Sequence, residues 1–526
     1  MATDDHMKVE HIGLPDGATS ASLGDYLLEN GRVVRDVVLG YTAYGELNAS
    51  GDNAIVVGHS LTSNSNVTEW WGAMCGPGEQ FALNTLEDFV ICVNYLGSPY
   101  GSSAPTTADP DKADGGCYGA DFPTPVSIRD NVRLQKMLLD SLGVKHLKMA
   151  IGGSMGSMLA LEWAATFPDF VEELCLIAGC GRHTDWAIGI GEAQRFSIMA
   201  DGKFKGGSYD VNDPPKAGLA TSRMMAMLSY RAPASVDQKF ERTVTMNSKT
   251  GAAAPMAKPS SHVDLNNVVA HANEKAQSLP YFAVESYLQY QGKKFIRRFD
   301  ANCYIQLTYT LDSHDVARGR GEYRDVLRSL RHRVLVVGIT SDVLYPFALQ
   351  RELAREMPHS ELYAIDSPHG HDAFLIEIAS LNVAVTRWRN GEPATLGKLR
   401  WKAPEEETRA SSEDVGELQA AVRELEEDLA RAREMEGKER DRADALLAQM
   451  KAMKDAEARR VAEAGRDGGG GGGATAAAAS GLFDGGGTLT GTLHGMNVLP
   501  ANPPPSTRRW EPVYGDTKAA WGLGAF

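Results

Sequence analysis

Short, continuously apolar runs rich in β-branched residues alternate with stretches whose apolar residues recur three and four apart, and this rhythm holds from Val33 to about Asn390. Such alternation predicts a mainly parallel β-sheet covered by helices, because each parallel strand needs a long crossover before the next. The runs at 54–58, 89–94, 147–152, 174–178, 333–338 and 361–365 are the expected strands. Most are apolar at every position, as strands buried on both faces must be. The fold class is α/β.

The rhythm breaks between Arg182 and Tyr323. AGLATSRMMAMLSYRA and VESYLQYQGKKFIRRFDANCYIQLTYTLD both read as helical. Residues 182–323 are therefore expected to form a helical lid inserted between two strands, leaving 1–181 and 324–393 as the core. Inside the insertion, RTVTMNSKTGAAAPMAKPSSH is polar and rich in turn-forming residues, the composition of a loop.

Beyond Ala394 the character changes. Val415, Leu418, Val422, Leu425, Leu429 and Ala432 step by three and four, and the register resumes at Ala443, Leu446, Met450 and Met453. This predicts a coiled coil over 405–465, with a lone solvated helix as the alternative because Glu436, Gly437 and Glu439 interrupt the seam. The Gly-, Ala- and Pro-rich stretch 466–526 is too poor in core-forming residues to fold and is expected to be a disordered tail without chemistry.

With 526 residues, 43% of them hydrophobic, the chain has material for one large core or two ordinary ones. Its formal charge of -15 argues against a general nucleic-acid binder or a protein drawn to anionic lipid, and favours small-molecule substrates. No run of about eighteen apolar residues suggests a membrane span. The acidic start MATDDHMKVEHIGLPDG resembles neither a secretory signal nor a basic transit peptide, so the cytoplasm is the expected location. Cys75, Cys92, Cys117, Cys175, Cys180 and Cys303 show no zinc-ligand spacing and are read as reduced thiols.

Gly152-Gly153-Ser154-Met155-Gly156 follows the apolar run LKMAI and precedes the helical LALEWAATFP. A strand, a tight turn and a helix are the context in which G-x-S-x-G lifts a serine hydroxyl clear of a sheet. A serine nucleophile needs a base, and the base an orienting acid. In chain order Asp342 follows the strand RVLVVG, and Ser367-Pro368-His369-Gly370-His371-Asp372 follows ELYAID. Asp342 is thus the candidate acid and His371 the candidate base, with His369 as the competing base. Three alternatives remain: Asp342 as a cap for the helix near Pro346, His371 as an ordinary loop residue, and the His-Gly-His-Asp run as a metal cluster. Backbone N–H groups of Met155 and of Leu61, in the loop after the first predicted strand, are the candidate oxyanion donors; plain packing is the alternative for Leu61.

Beyond the elbow, the segments NYLGSPYGSSAP, YGADFPTPVSIRDNV, GGSMGSMLALEWA, FPDFVEEL, GLATSRMM, VESYLQYQGKKFIRRFDANCYIQLT, GITSDVLYPFALQRELA and SPHGHDAFL resemble homoserine O-acetyltransferases, α/β-hydrolase-fold enzymes of methionine biosynthesis. SPYGS, SYRAPASVDQKFER and the polar insertion are closer to the eukaryotic members. The resemblance implies Ser154, Asp342 and His371 as the triad, and Arg223 and Asp372 as the residues that hold the amino acid. A forked guanidinium suits its carboxylate and a carboxylate its ammonium group. On the residues alone, Arg223 reads as a surface-helix arginine and Asp372 as a helix cap. The resemblance further implies acetyl-CoA as co-substrate with no separate cofactor or metal, L-homoserine as acceptor, and a homodimer through the lid; the coiled coil would allow further assembly. Ser157 stands where the family has glycine, which is expected to tighten the acyl pocket. Residue types do not separate acetyl from succinyl donors or homoserine from serine acceptors. An ester or thioester hydrolase of the same fold, and an inactive coiled-coil interaction protein, are the other readings.

Overall fold

The computed structural model describes residues 13–244 and 282–395. The predicted coiled coil, the tail, the first twelve residues and most of the polar loop in the insertion lie outside the described residues.

One eight-stranded sheet organises the fold, in the order β1 (Thr19–Leu27), β2 (Val33–Tyr44), β6 (Phe89–Val93), β3 (Ala54–Gly58), β7 (Leu147–Gly153), β8 (Val171–Ile177), β9 (Arg333–Ile339) and β10 (Ser360–Ile365). A separate two-stranded sheet joins β4 (Cys75–Gly76) to β5 (Leu83–Asn84). From β6 to β10 every pairing is parallel, whereas β2 runs antiparallel to both β1 and β6. All the predicted strands are present. The edge hairpin was not among them: β1 has no buried residue and alternates only weakly, and the buried positions of β2 do not alternate regularly.

Successive residues of the central strands enter two different cores. Val56, Ile91, Ala150, Leu174 and Val334 face one layer, while Ile55, Val57, Cys92, Met149, Cys175 and Leu335 face the other. This period of two is what a strand covered on both sides requires. Each fully buried aliphatic chain contributes about 1.5–3 kcal/mol, so the middle of the sheet is its most stable part. No cysteine is disulfide-bonded, and Cys92 and Cys175 fill strand positions as small hydrophobes.

Between β8 and β9 the chain leaves the sheet for a largely helical insertion that includes Asp185–Met199, Lys216–Ser229, Ala283–Phe295 and Ala301–Asp312. The long helical pattern of the sequence divides at Asp300, whose carboxylate caps the second helix by accepting from Cys303 N at 3.0 Å. Among the described residues, no helix is long and apolar enough to cross a membrane.

Candidate active site

The site is built at the carboxyl ends of the parallel strands, where open α/β sheets present their loops. Ser154 occupies the turn between β7 and the helix Met155–Thr166, with φ 59° and ψ −120°. Positive φ is unusual for a residue with a Cβ and persists only where the surroundings enforce it. Here the enforcement is close packing of glycines. A Cβ on Gly156 would lie 1.9 Å from Gly58 O, and one on Gly152 would lie 2.4 Å from Gly156 C. The elbow is pressed against the end of β3, and only backbones without side chains fit.

Asp342, three residues past β9, spends one carboxylate oxygen on its own loop: Oδ1 accepts from Leu344 N at 2.8 Å and Tyr345 N at 2.9 Å. Oδ2 lies 2.6 Å from His371 Nδ1. The helix that follows begins at Phe347 with Pro346 as its cap residue, so Asp342 orients the imidazole and does not cap that helix. Burial pushes the His371 imidazole down, but the Asp342 charge and hydrogen bond, with the Asp372 charge added, outweigh it and leave the pKa above 6.5. His371 is 3% exposed, Asp342 5% and Ser154 8%. His371 Nε2 makes no hydrogen bond to a described residue, Ser154 Oγ included. His369 turns elsewhere, with Nδ1 3.4 Å from Ser235 Oγ. Among the described residues, no group of three or more His, Cys, Asp or Glu is arranged to hold a metal.

Ser154, His371, Leu61, Arg223 and Asp372 line one cavity of 220 Å³, together with Thr62, Tyr230, Arg298 and neighbours. Leu61 lies in the turn closed by Ser63 N donating to Ser60 O at 3.1 Å, and no described residue accepts from its own N–H. Met155 N–H is the first of its helix and has no intrahelical acceptor. The Arg223 guanidinium leaves the helix Lys216–Ser229 and sits 5.1 Å from the Phe295 ring and 5.7 Å from that of Tyr230. Asp372 stands at the start of the helix Ala373–Ile376 but makes no side-chain capping bond there. Its carboxylate instead lies 3.2 Å from Arg231 Nε. Burial pushes the Asp372 carboxyl above its ordinary range, against the pull of Arg231, His371 and Arg223. Ser157 does not line the cavity. Its side chain faces Gly179, where a Cβ would come within 2.3 Å of Ser157 Oγ, so the expected narrowing of the acyl pocket does not arise.

Two cations in this site carry no signal that sequence reasoning could use. Arg231 and Arg298 lie in stretches whose sequence reads as helical and charge-bearing, and only the fold, which places both just past a helix end, turns them inward.

The α/β hydrolase fold family matches residues 53–377. The homoserine O-acetyltransferase of Salinibacter ruber is 49% identical over 366 residues, which cover 69% of this chain and 94% of that protein. This chain belongs to the homoserine O-acetyltransferase family. The homoserine O-acetyltransferase of Emericella nidulans is 39% identical over 409 residues, covering 68% of this chain and 83% of its own length. Among solved structures, esterase E22 superposes with a TM-score of 0.60 at 25% identity, covering 70% of this chain and 99% of the esterase. Every homoserine O-acetyltransferase segment singled out in the sequence contributes to the sheet, its loops or the insertion. The cavity lies within the matched residues.

Proposed function

We propose that this protein transfers the acetyl group of acetyl-CoA to the hydroxyl of L-homoserine, a step of methionine biosynthesis, through an acetyl-serine intermediate. Ser154 Oγ gives its proton to His371 and attacks the thioester carbonyl. The tetrahedral oxyanion accepts from the N–H groups of Leu61 and Met155. The carbon–sulfur bond breaks, and CoA leaves as the thiol with the proton from His371. Homoserine, its carboxylate on Arg223 and its ammonium on Asp372, then gives its hydroxyl proton to the same base and takes the acetyl group. Ser154 is regenerated, and no cofactor besides the co-substrate is required.

The observation that carries this reading is that Ser154 and His371, the histidine backed by Asp342, share a single cavity with Arg223 and Asp372. Their opposite charges match an α-amino acid, whereas a simple esterase needs neither. The insertion serves as the lid that lets the bound acceptor, and not water, reach the acyl-enzyme. A homodimer through the insertion, further assembly through 405–465, and a cytoplasmic location belong to the same reading.

Rapid-quench mass spectrometry with acetyl-CoA alone tests it: acetyl should appear on Ser154 and not on any residue of Ser154→Ala. Assaying acetyl-CoA and succinyl-CoA against homoserine and serine then fixes both substrates. The likeness to esterase E22 favours one second reading, hydrolysis of the acyl-enzyme. Steady CoA release that homoserine does not accelerate would select it.

A further inference from the structure

The turn that carries Leu61 is closed mainly by bonds within itself. Ser63 N donates to Ser60 O, and the hydroxyls of Ser60 and Ser63 are 2.7 Å apart. Such a turn is internally stiff yet can still tilt as a unit. Upstream, Tyr95 OH donates to His59 O at 2.9 Å. Downstream, among the described residues, the one donor to Thr62 O is Arg298, whose Nη1 reaches it at 2.9 Å. The same Nη1 donates to Tyr100 OH at 2.7 Å, and Tyr100 OH in turn donates to Arg298 O at 3.1 Å. Tyr100 is buried, and its ring packs edge-on against Phe299 at 5.8 Å. Arg298, three residues past the helix Ala283–Phe295, thus reaches from the insertion to the core and ties Thr62 to a rigid aromatic anchor. The guanidinium carbon also lies 5.2 Å from the centre of the Phe295 ring, within cation–π range.

We propose that Arg298 is a positioning residue for acyl transfer, holding the Ser60–Ser63 turn so that Leu61 N–H points at the oxyanion formed on attack by Ser154. The inference rests on the roles given above to Ser154 and Leu61. A charged donor to a backbone carbonyl is among the stronger neutral-acceptor hydrogen bonds, and here it acts one residue from the group whose direction matters. Because an oxyanion forms when acetyl-CoA is attacked as well as when homoserine attacks the acetyl-serine, the effect already shows in the half-reaction that contains no amino acid. That separates Arg298 from a residue serving only to bind the acceptor.

The test follows acetyl-Ser154 formation from acetyl-CoA alone by rapid quench, with the KM for homoserine measured in the full reaction. Misdirecting an oxyanion donor should cost less than deleting one, so Arg298→Met is expected to slow acetylation about 10- to 100-fold. Arg298→Lys, which keeps a cationic donor, should recover part of the rate, and Tyr100→Phe, which removes one anchor of the guanidinium, should fall between wild type and Arg298→Met. Acetylation by folded Arg298→Met at the wild-type rate, with only the homoserine KM raised, would overturn the proposal. If Arg298→Met does not melt cooperatively, Tyr100→Phe decides: a slower acetylation supports the tether, and an unchanged one overturns it. Acetyl-enzyme persisting in Ser154→Ala would instead refute the choice of nucleophile, a failure distinct from that of the tether.

Discussion

Arg231 Nε lies 3.2 Å from Asp372 Oδ2, so the carboxylate proposed to receive the acceptor's ammonium group already faces a cation from the insertion. Burial drives the Asp372 carboxyl up, and Arg231 is the largest influence opposing it. Arg231→Gln therefore leaves burial less opposed, and Asp372 takes up its proton at higher pH. A protonated carboxyl no longer attracts an ammonium group. The KM for homoserine should rise in Arg231→Gln, and rise more as the pH is lowered, because the carboxyl then takes up its proton. A KM raised equally at every pH would refute the electrostatic role.

As the proposed base, His371, with its pKa raised by Asp342, should set the acid limb of activity. The base works only when neutral, so kcat/KM for acetyl-CoA should climb with pH through a midpoint above 6.5. Asp342→Asn removes the two strongest influences that raise it, leaving burial as the largest. The midpoint should then move down while the rate falls by roughly 10³- to 10⁴-fold through loss of the oriented tautomer. An unmoved midpoint would show that Asp342 does not govern the histidine.

The glycine packing at the elbow predicts a contrast between two substitutions. Gly156→Ala places a Cβ 1.9 Å from Gly58 O, an overlap that backbone must move to relieve. It should destabilise by about 1–3 kcal/mol or more and impair acetylation as well. Gly189→Ala, within the helix Asp185–Met199, meets nothing within 4 Å and should be neutral or stabilise by about 0.5–1 kcal/mol. Urea denaturation of both variants checks the pair, and a fully stable Gly156→Ala would contradict the close approach of β3 and the elbow.

Removing the chain beyond residue 395 should leave the acetyl-transfer rate unchanged, since the residues lining the cavity run from Ser60 to Leu375. Light scattering on the full and truncated proteins would report whether 405–465 adds to assembly. A truncated protein that melts cooperatively but has lost activity would place part of the chemistry in the appended region.

How legible the site was depended on whether a residue's role is written in its local context. Ser154 sits in a pattern that only a strand, a tight turn and a helix explain, and Asp342 and His371 each follow an apolar strand in the required order. Asp342 also resolves the choice between His369 and His371, but only in space, because both histidines share one loop. The edge strand β1 was hidden for the opposite reason. Thr19–Leu27 lies at the sheet margin with no buried position, and so shows no strong alternation. Arg231 and Arg298 gained their roles from contacts 141 and 236 residues away in sequence, with Asp372 and Thr62. No periodicity encodes such contacts. Ser157 misled because proximity in sequence to the nucleophile is not proximity to the cavity: its hydroxymethyl points at Gly179.

The loop that bears His371 is seated directly on the insertion. Gly370 has φ +68°, a Cβ there would lie 2.4 Å from Ala232 N and 2.7 Å from Arg231 C, and Asp372 N donates to Tyr230 O at 3.0 Å. At Gly370 backbone meets backbone, beside the side-chain bridge from Arg231 to Asp372. For protein engineering this makes the insertion a poor interchangeable part. A chimera that takes its helices from a relative must bring the matching histidine loop with them, because the two surfaces can only be exchanged as one piece.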